Sequence, residues 1–418
     1  MMALVGGTII TGTGEDPIID GVLLIEGERI RGLGTARSLS VPRDARKVDA
    51  QGCTVMPGLI DCHVHIDHRP TYDPMVHLQE NVVFAAIRGW TYAREMLRAG
   101  ITSFRDAGSA GLAAIGLAQA IDSGIVPGPR VVACGQLIAM TGAGKYGSYL
   151  RPELDLSALE VWVSGVEEVR RAVRRQLGLG ARAVKMMASG LLGGELGGQD
   201  PQLSIEELRA GVEEAHLQNR HVFVHSHGTQ GCRNAVLAGV DSVDHGTFLD
   251  GEVASLMARN GTYLVPTLSY WARMEAHLDD ESVPLSMRTQ YRQTGRTQYA
   301  AHRESVRCAL EAGVRIAMGT DAGELEHDKG AFELEALVHA GLTPMQAIVA
   351  GTSYGAALLR LRDVGRLEQG KIADLLLLRG DPLSDIRLLQ DKSRIRLVLK
   401  GGVVCCDRDR EERECSTT

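Results

Sequence analysis

The chain is 418 residues long, 44% hydrophobic and 23% charged, with 45 Lys plus Arg against 52 Asp plus Glu and a formal net charge of −7. That balance, without a long basic block, excludes a nucleic-acid surface as the main function and argues against disorder. No apolar run approaches the roughly eighteen residues of a membrane span, and the start MMALVGGTIITGTGEDP lacks a signal-peptide pattern, so a cytoplasmic protein away from membranes is expected.

The first fifty or so residues read as short strands joined by turns, ALVGGTIITG, GVLLIEGERIRGLG and RKVDAQGCTVMPG, which predicts a meander of β-hairpins. From about Pro57 to Leu361 the pattern changes to short apolar runs, each followed by a helical stretch. The runs are GLIDCHVH (58–65), ITSFRDAG (101–108), RVVACGQL (130–137), AVKMMASG (183–190), HVFVHSHG (221–228), SVDHGTF (242–248), TYLVPTL (262–268) and VRIAMGTDAG (314–323). Amphipathic connectors such as NVVFAAIRGWTYAREMLRAG, GVEEVRRAVRRQLGLG, SIEELRAGVEEAHLQN and RESVRCALEAG lie between them. Eight such units predict an α/β fold, a (β/α)8 TIM-like barrel whose reacting groups sit at the C-terminal ends of its strands. A doubly wound open sheet is disfavoured because no early GxGxxG turn is present.

The C-terminal segments GRLEQGKIADLLLLRGDPL and RIRLVLKGGVVC resemble the start of the chain in texture. Both ends are too short to be stable alone, and pairing with each other covers their edges. The expected division is therefore 1–56 and 362–418 as two parts of a small β-sandwich, with a barrel over 57–361. The eight cysteines, Cys53, Cys62, Cys134, Cys232, Cys308, Cys405, Cys406 and Cys415, contain no CxxC pair, which suggests neither a zinc ribbon nor a disulfide framework. With 49 Gly but only 3 Trp, 9 Tyr and 5 Phe, the core must be mainly aliphatic, and a pocket poor in aromatics would recognise its substrate through charge and hydrogen bonds.

The chemistry concentrates at the strand ends. His63 and His65 alternate on a strand, so both imidazoles face one side and can share a divalent ion; His225 and His227 form a second such pair. His225, His245 and Asp321 each close a different predicted strand. Lys185 sits at the end of an apolar strand, where desolvation would lower its pKa and let the neutral amine form a carbamate with carbon dioxide. Arg105 and Asp106 could close the floor of the site with an ion pair or touch substrate, the structural role being favoured. Tyr270, His302 and Arg303 are softer pocket candidates. The glycine-rich stretch 189–204 lacks GK[ST], so a lid or pocket wall is expected rather than a phosphate loop.

Taken together, MPGLIDCHVH, FRDAG, VKMMASG, VHSHG, AVLAGVDSVDHGTFLD, VPTL, GTDAG, TPMQAIVAGTSYGAALL and GRLEQGKIADLLLL resemble the amidohydrolase superfamily, in particular its prolidase-like and imidazolonepropionase-like metallopeptidases. The resemblance covers nearly the whole chain. It implies a binuclear centre of two divalent ions, expected to be zinc, with His63, His65 and Asp321 on one and His225 and His245 on the other. Carboxylated Lys185 and a hydroxide would bridge both. Asp321 would also act as the catalytic base and then acid. His225 is chosen over His227 because relatives place the ligand first in this segment, twenty residues before the histidine of the next box; His227 would then face the substrate. Many relatives carry TGGH where this chain has Thr141-Gly142-Ala143-Gly144-Lys145-Tyr146, so Lys145 or Tyr146 would replace the missing histidine and suit a substrate carboxylate.

The implied activity is hydrolysis of dipeptides or N-acyl amino acids with a free carboxylate. A cyclic amidohydrolase of the imidazolonepropionase type is the alternative, disfavoured because those enzymes usually lack the strand-four lysine. A non-catalytic assembly homologue is disfavoured because no metal ligand is lost. Relatives are often homo-oligomers, so the same is expected here.

Overall fold

The computed structural model describes residues 1–71, 74–146, 154–192, 198–276, 278–281, 283 and 285–415. Strands β1 (Met2–Ile9), β2 (Ile18–Glu26), β3 (Arg29–Thr35), β4 (Arg46–Asp49) and β5 (Cys53–Pro57) open the chain. The middle contributes β6 (Leu59–Val64), β7 (Ile101–Asp106), β8 (Arg130–Val132), β9 (Leu137–Met140), β10 (Glu160–Val163), β11 (Ala183–Met187), β12 (His221–Ser226), β13 (Ser242–His245) and β14 (Tyr263–Val265). The end supplies β15 (Leu375–Arg379), β16 (Ile395–Lys400) and β17 (Val403–Asp407).

Both chain ends join one sheet of order β17-β16-β15-β5-β1-β2-β3, with β4 also on β1. The seam is the antiparallel pair β15–β5, which sets Leu376 opposite Met56. The hairpin expectation holds for β1–β2–β3, but β4 and β5 run parallel to β1. The connection carries Leu39, Val41 and Ala45 across the face of Ala3, Val22 and Leu24, and so returns the chain to the beginning of β1. On the other face Leu4, Leu23 and Ile25 share a core with Leu375, Leu377, Leu397 and Leu399. The two wings of the sheet thus curl over one another as a sandwich. At its tip Gly402 (φ 72°) lies on Gly27, and a Cβ there would come within 2.1 Å of the Gly27 carbonyl oxygen.

The barrel strands β6-β7-β8 and β10-β9-β11-β12-β13-β14 are parallel within their sheets. Every residue of β6, β7 and β12 is buried, as expected for strands covered on both faces. The predicted connectors appear as helices Val82–Arg98, Val166–Gly178, Ile205–Leu217 and Arg296–Glu311. Helix Ile205–Leu217 starts with a reciprocal Ser204–Glu207 capping box and buries Leu208 completely, each fully buried leucine contributing about 2 kcal/mol.

Two strands depart from expectation. The third run splits at 133–136, so that β8 pairs with β7 while β9 pairs with β11. The break contains Gly135 (φ 73°), packed so closely that a Cβ would meet Gln176 Oε1 at 2.3 Å. The eighth run forms no ladder; it closes the barrel through the single bridges Leu264–Ile316 and Val64–Ala322. Asp321 at φ 60° breaks its extended course. The added strand β10 extends the sheet beyond β9 and carries Glu160, which lies under the Lys145 loop. Among the described residues no helix is long and apolar enough to cross a membrane.

Candidate metal centre and active site

His63 and His225 lie on β6 and β12, His65 and His227 immediately beyond them, Lys185 on β11, His245 at the end of β13 and Asp321 on the closing run. All seven line one cavity of about 370 Å³ at the C-terminal end of the barrel. Their donor atoms form two groups, His63–His65–Asp321 and His225–His227–His245, each with its atoms within 4.8 Å of one another. His227 therefore stands as near its neighbours as His225 does, closer than a purely substrate-facing role requires.

Each imidazole has one nitrogen held from behind. His63 Nδ1 lies 2.7 Å from Asp244 Oδ2, His65 Nδ1 2.8 Å from the Gly108 carbonyl, His245 Nδ1 2.8 Å from Thr267 Oγ1 and His227 Nδ1 2.9 Å from Thr247 Oγ1. His225 uses Nε2 instead, 3.1 Å from the Gly190 carbonyl. The opposite nitrogen of every ring is left for the cavity, the arrangement that orients histidines as metal ligands. Burial pushes the His225 imidazole down to about 3, and those of His65, His227 and His245 well below their ordinary value. Neutral rings with a lone pair are the ligand form.

Asp321 Oδ1 lies 3.3 Å from His63 Nε2 and 3.5 Å from His65 Nε2. Burial raises its pKa, but His63 and His65 outweigh that and hold the carboxyl below the usual range. Strain is concentrated here as well: His245 (φ 72°), Thr267 (φ 56°) and Asp321 (φ 60°) are three of the six non-glycine residues with positive φ among those described.

Lys185 tests whether the donors fit a metal centre. Its side chain is 3% exposed, its Nζ makes no hydrogen bond and its nearest acid oxygen, Asp244 Oδ2, is 3.6 Å away. Burial lowers its pKa, which favours the neutral amine. A buried amine without a hydrogen bond, lining the same cavity as two groups of nitrogen and oxygen donors, fits a centre that supplies the missing bond.

The floor of the site is Arg105, fully buried, whose Nη2 donates to both oxygens of Asp244 at 3.0 Å and whose Nε donates to the Cys62 carbonyl at 2.6 Å. The ion pair expected at Arg105 exists, but its acid is Asp244 and not Asp106. Asp106, pushed up to about 7 by burial and by Asp67, accepts instead from Ser109 Oγ at 2.6 Å. Asp244 directly precedes His245 and carries no motif signal of its own; because His245 leaves the strand at φ 72°, both side chains reach the His63 ring, Asp244 joining it to Arg105.

Of the two loop candidates, Lys145 lines the cavity and Tyr146 does not. Both backbone N–H groups donate to Glu160 Oε2, so consecutive side chains diverge; the Tyr146 hydroxyl ends 3.5 Å from His68 Nε2, behind the wall. Tyr270 and His302 do line the cavity, whereas Arg303 stacks on Tyr299 at 4.9 Å. In the stretch 189–204, Leu191 and Leu192 form pocket wall, and residues 193–197 lie outside the described residues. The expectation of a pocket poor in aromatics needs correction: Tyr270, Trp271, Tyr291 and Met274 all line it and pack as one cluster. A low overall aromatic content did not forbid their gathering in the helices that follow β14.

The amidohydrolase family model matches residues 54–405. Ochratoxinase from Aspergillus niger is 32% identical over 95% of this chain and 85% of its own length. Among solved structures, a Xaa-Pro dipeptidase with methionine bound in its active site superimposes with a TM-score of 0.84 at 32% identity, covering 96% of this chain and 99% of the other. A prolidase complexed with N-methylphosphonate-L-proline gives 0.86 at 32% identity over 96% and 98%. The matched span runs from β5 to β17 and contains every residue of both donor groups, so the chain belongs to the amidohydrolase family.

Proposed function

We propose that the chain is a metal-dependent hydrolase of amide bonds in dipeptides or N-acyl amino acids that carry a free carboxylate. The observation that carries this reading is the gathering in one cavity of five histidines, Asp321 and a buried Lys185 amine that makes no hydrogen bond. In this reading His63, His65 and Asp321 would hold one divalent ion and His225 and His245 a second, with N-carboxylated Lys185 as a ligand they would share. Such ions, zinc in this proposal, acidify water and polarise a carbonyl.

The chain's own groups supply the rest. Asp321 accepts a proton from the attacking water and returns it to the leaving nitrogen. Asp244 and Arg105 fix the His63 ring from below, and Thr267 fixes His245. His227, anchored on Thr247, presents its other nitrogen to the substrate side of the cavity. Lys145 offers the cation for a carboxylate, while the aromatic wall excludes water from an apolar group. The same reading takes the barrel as 57–361 between the two parts of the β-domain, the cytoplasm as the compartment and a homo-oligomer as the assembled state.

A panel of dipeptides, N-acyl amino acids and cyclic amides tests the substrate class. Turnover of at least one linear member is expected; opening of cyclic amides alone would shift the assignment to the imidazolonepropionase type.

A further inference from the structure

One corner of the cavity holds a charge arrangement that the metal chemistry does not use. Among the described lining residues the cations are Lys145 and Lys185, and the acids are Asp321 and Glu324. Lys145 Nζ donates to Glu324 Oε1 at 2.5 Å and lies 3.2 Å from His68 Nδ1. The pair is asymmetric in exposure: the lysine side chain is 13% exposed, the glutamate 33%.

Both partners stand on braced loops. Glu160 clamps the backbone of Lys145 and Tyr146. Glu324 follows Asp321 in a turn tied by Glu324 N–H to the Asp321 carbonyl at 3.1 Å and by Gly323 N–H to the Leu325 carbonyl at 2.8 Å. Gly323 has φ 115°, and a Cβ there would stand 2.7 Å from the His65 carbonyl oxygen, so the turn is seated against the first histidine pair. The ammonium is therefore fixed at the edge of the His63–His65–Asp321 group.

We infer that Lys145 is the anchor for the substrate carboxylate and that Glu324 is an internal competitor for it, displaced when substrate binds, so that Glu324 sets how tightly carboxylates are held. This deepens the amide-hydrolase reading and rests on it for the identity of the ligand. The reason for displacement is electrostatic. A buried ammonium must keep an anionic partner, whereas the more exposed glutamate regains water when it lets go. The same cavity is lined by Trp271 and Tyr291, which offer apolar surface to the side chain of such a carboxylate.

The test titrates full-length, metal-loaded protein with isocaproate, an apolar carboxylate without a scissile amide, and measures KM and kcat for N-acetyl-L-leucine in parallel. K145M is expected to weaken isocaproate binding and raise KM by about tenfold or more, as loss of a charge-assisted hydrogen bond requires. E324Q is expected to tighten isocaproate and lower KM by about threefold or more, since the competitor loses its charge. Unchanged isocaproate binding in K145M, or weaker binding in E324Q, would overturn the inference; the second result would make the pair a clasp between loops. If isocaproate follows both substitutions as expected while no linear amide is turned over, the anion site stands and the hydrolase reading fails.

Discussion

At the residue scale, the site depends on groups that touch no substrate. Asp244 receives His63, Arg105 and the nearest approach of Lys185, so its carboxylate joins the floor to the ligands. Burial opposes its ionisation, but Arg105 and Lys185 outweigh that and hold its pKa below the usual range. D244N leaves the Arg105 guanidinium buried without its counter-ion, at a cost of about 3–5 kcal/mol, and frees the His63 ring. Chemical denaturation should show that loss, and metal titration should show affinity reduced by roughly ten- to a hundredfold. A milder change, T267A, removes the hydroxyl behind His245 together with one methyl group. It should reduce metal affinity while leaving the denaturation midpoint nearly unaltered, and equal losses in both would argue that Thr267 serves packing instead.

At the element scale, the barrel is tied at its lower end by Asp241, in the loop before β13. It accepts from His216 Nε2 at 2.8 Å on one helix, from the Val222 N–H at 2.7 Å on β12 and from Arg360 Nη2 at 3.0 Å on the segment beyond the last barrel helix. Burial raises its pKa, but the His216 bond and the Val222 N–H outweigh it and bring the carboxyl down to about 2 from 3.8. A depressed carboxylate contributes stability that is complete above pH 4 and lost as pH falls toward 2. D241N should therefore lower stability by about 2 kcal/mol at neutral pH and flatten the acid limb of the stability curve between those pH values. On the turn that carries Asp321 and Glu324, G323A adds a Cβ at φ 115°, 2.7 Å from the His65 carbonyl oxygen. The turn must shift, and activity should fall more than stability does, as paired kinetics and melting measurements would reveal.

At the scale of the whole molecule, the order of elements was readable because each barrel run is a short apolar block ending in reactive residues. The six donors His63, His65, Lys185, His225, His245 and Asp321 do meet in one cavity. What could not be read depends on contacts far apart in the chain. Asp244 looks like the neighbour of a ligand until Arg105, 139 residues away, is found beneath it. Tyr146 is adjacent to Lys145, but the shared Glu160 clamp turns it out of the cavity. The pairing of Lys145 with Glu324 spans 179 residues, and the loop that marks Lys145 says nothing of its partner. The parallel entry of β4 and β5 follows from how the 36–45 connection packs, and local periodicity is silent on that. Likewise the aromatic wall is a local gathering that composition averages away. Under the proposed function both donor groups would bind metal only in the folded chain, so a chelator should lower the melting temperature of the metal-loaded protein, by the linkage of ligand binding to folding. The most direct test of the binuclear centre is elemental analysis of metal in purified wild-type protein and in Lys185→Ala. Two divalent ions per wild-type chain, with one or both lost together with amide hydrolysis in the variant, are expected; unchanged metal content in Lys185→Ala would contradict a bridging lysine.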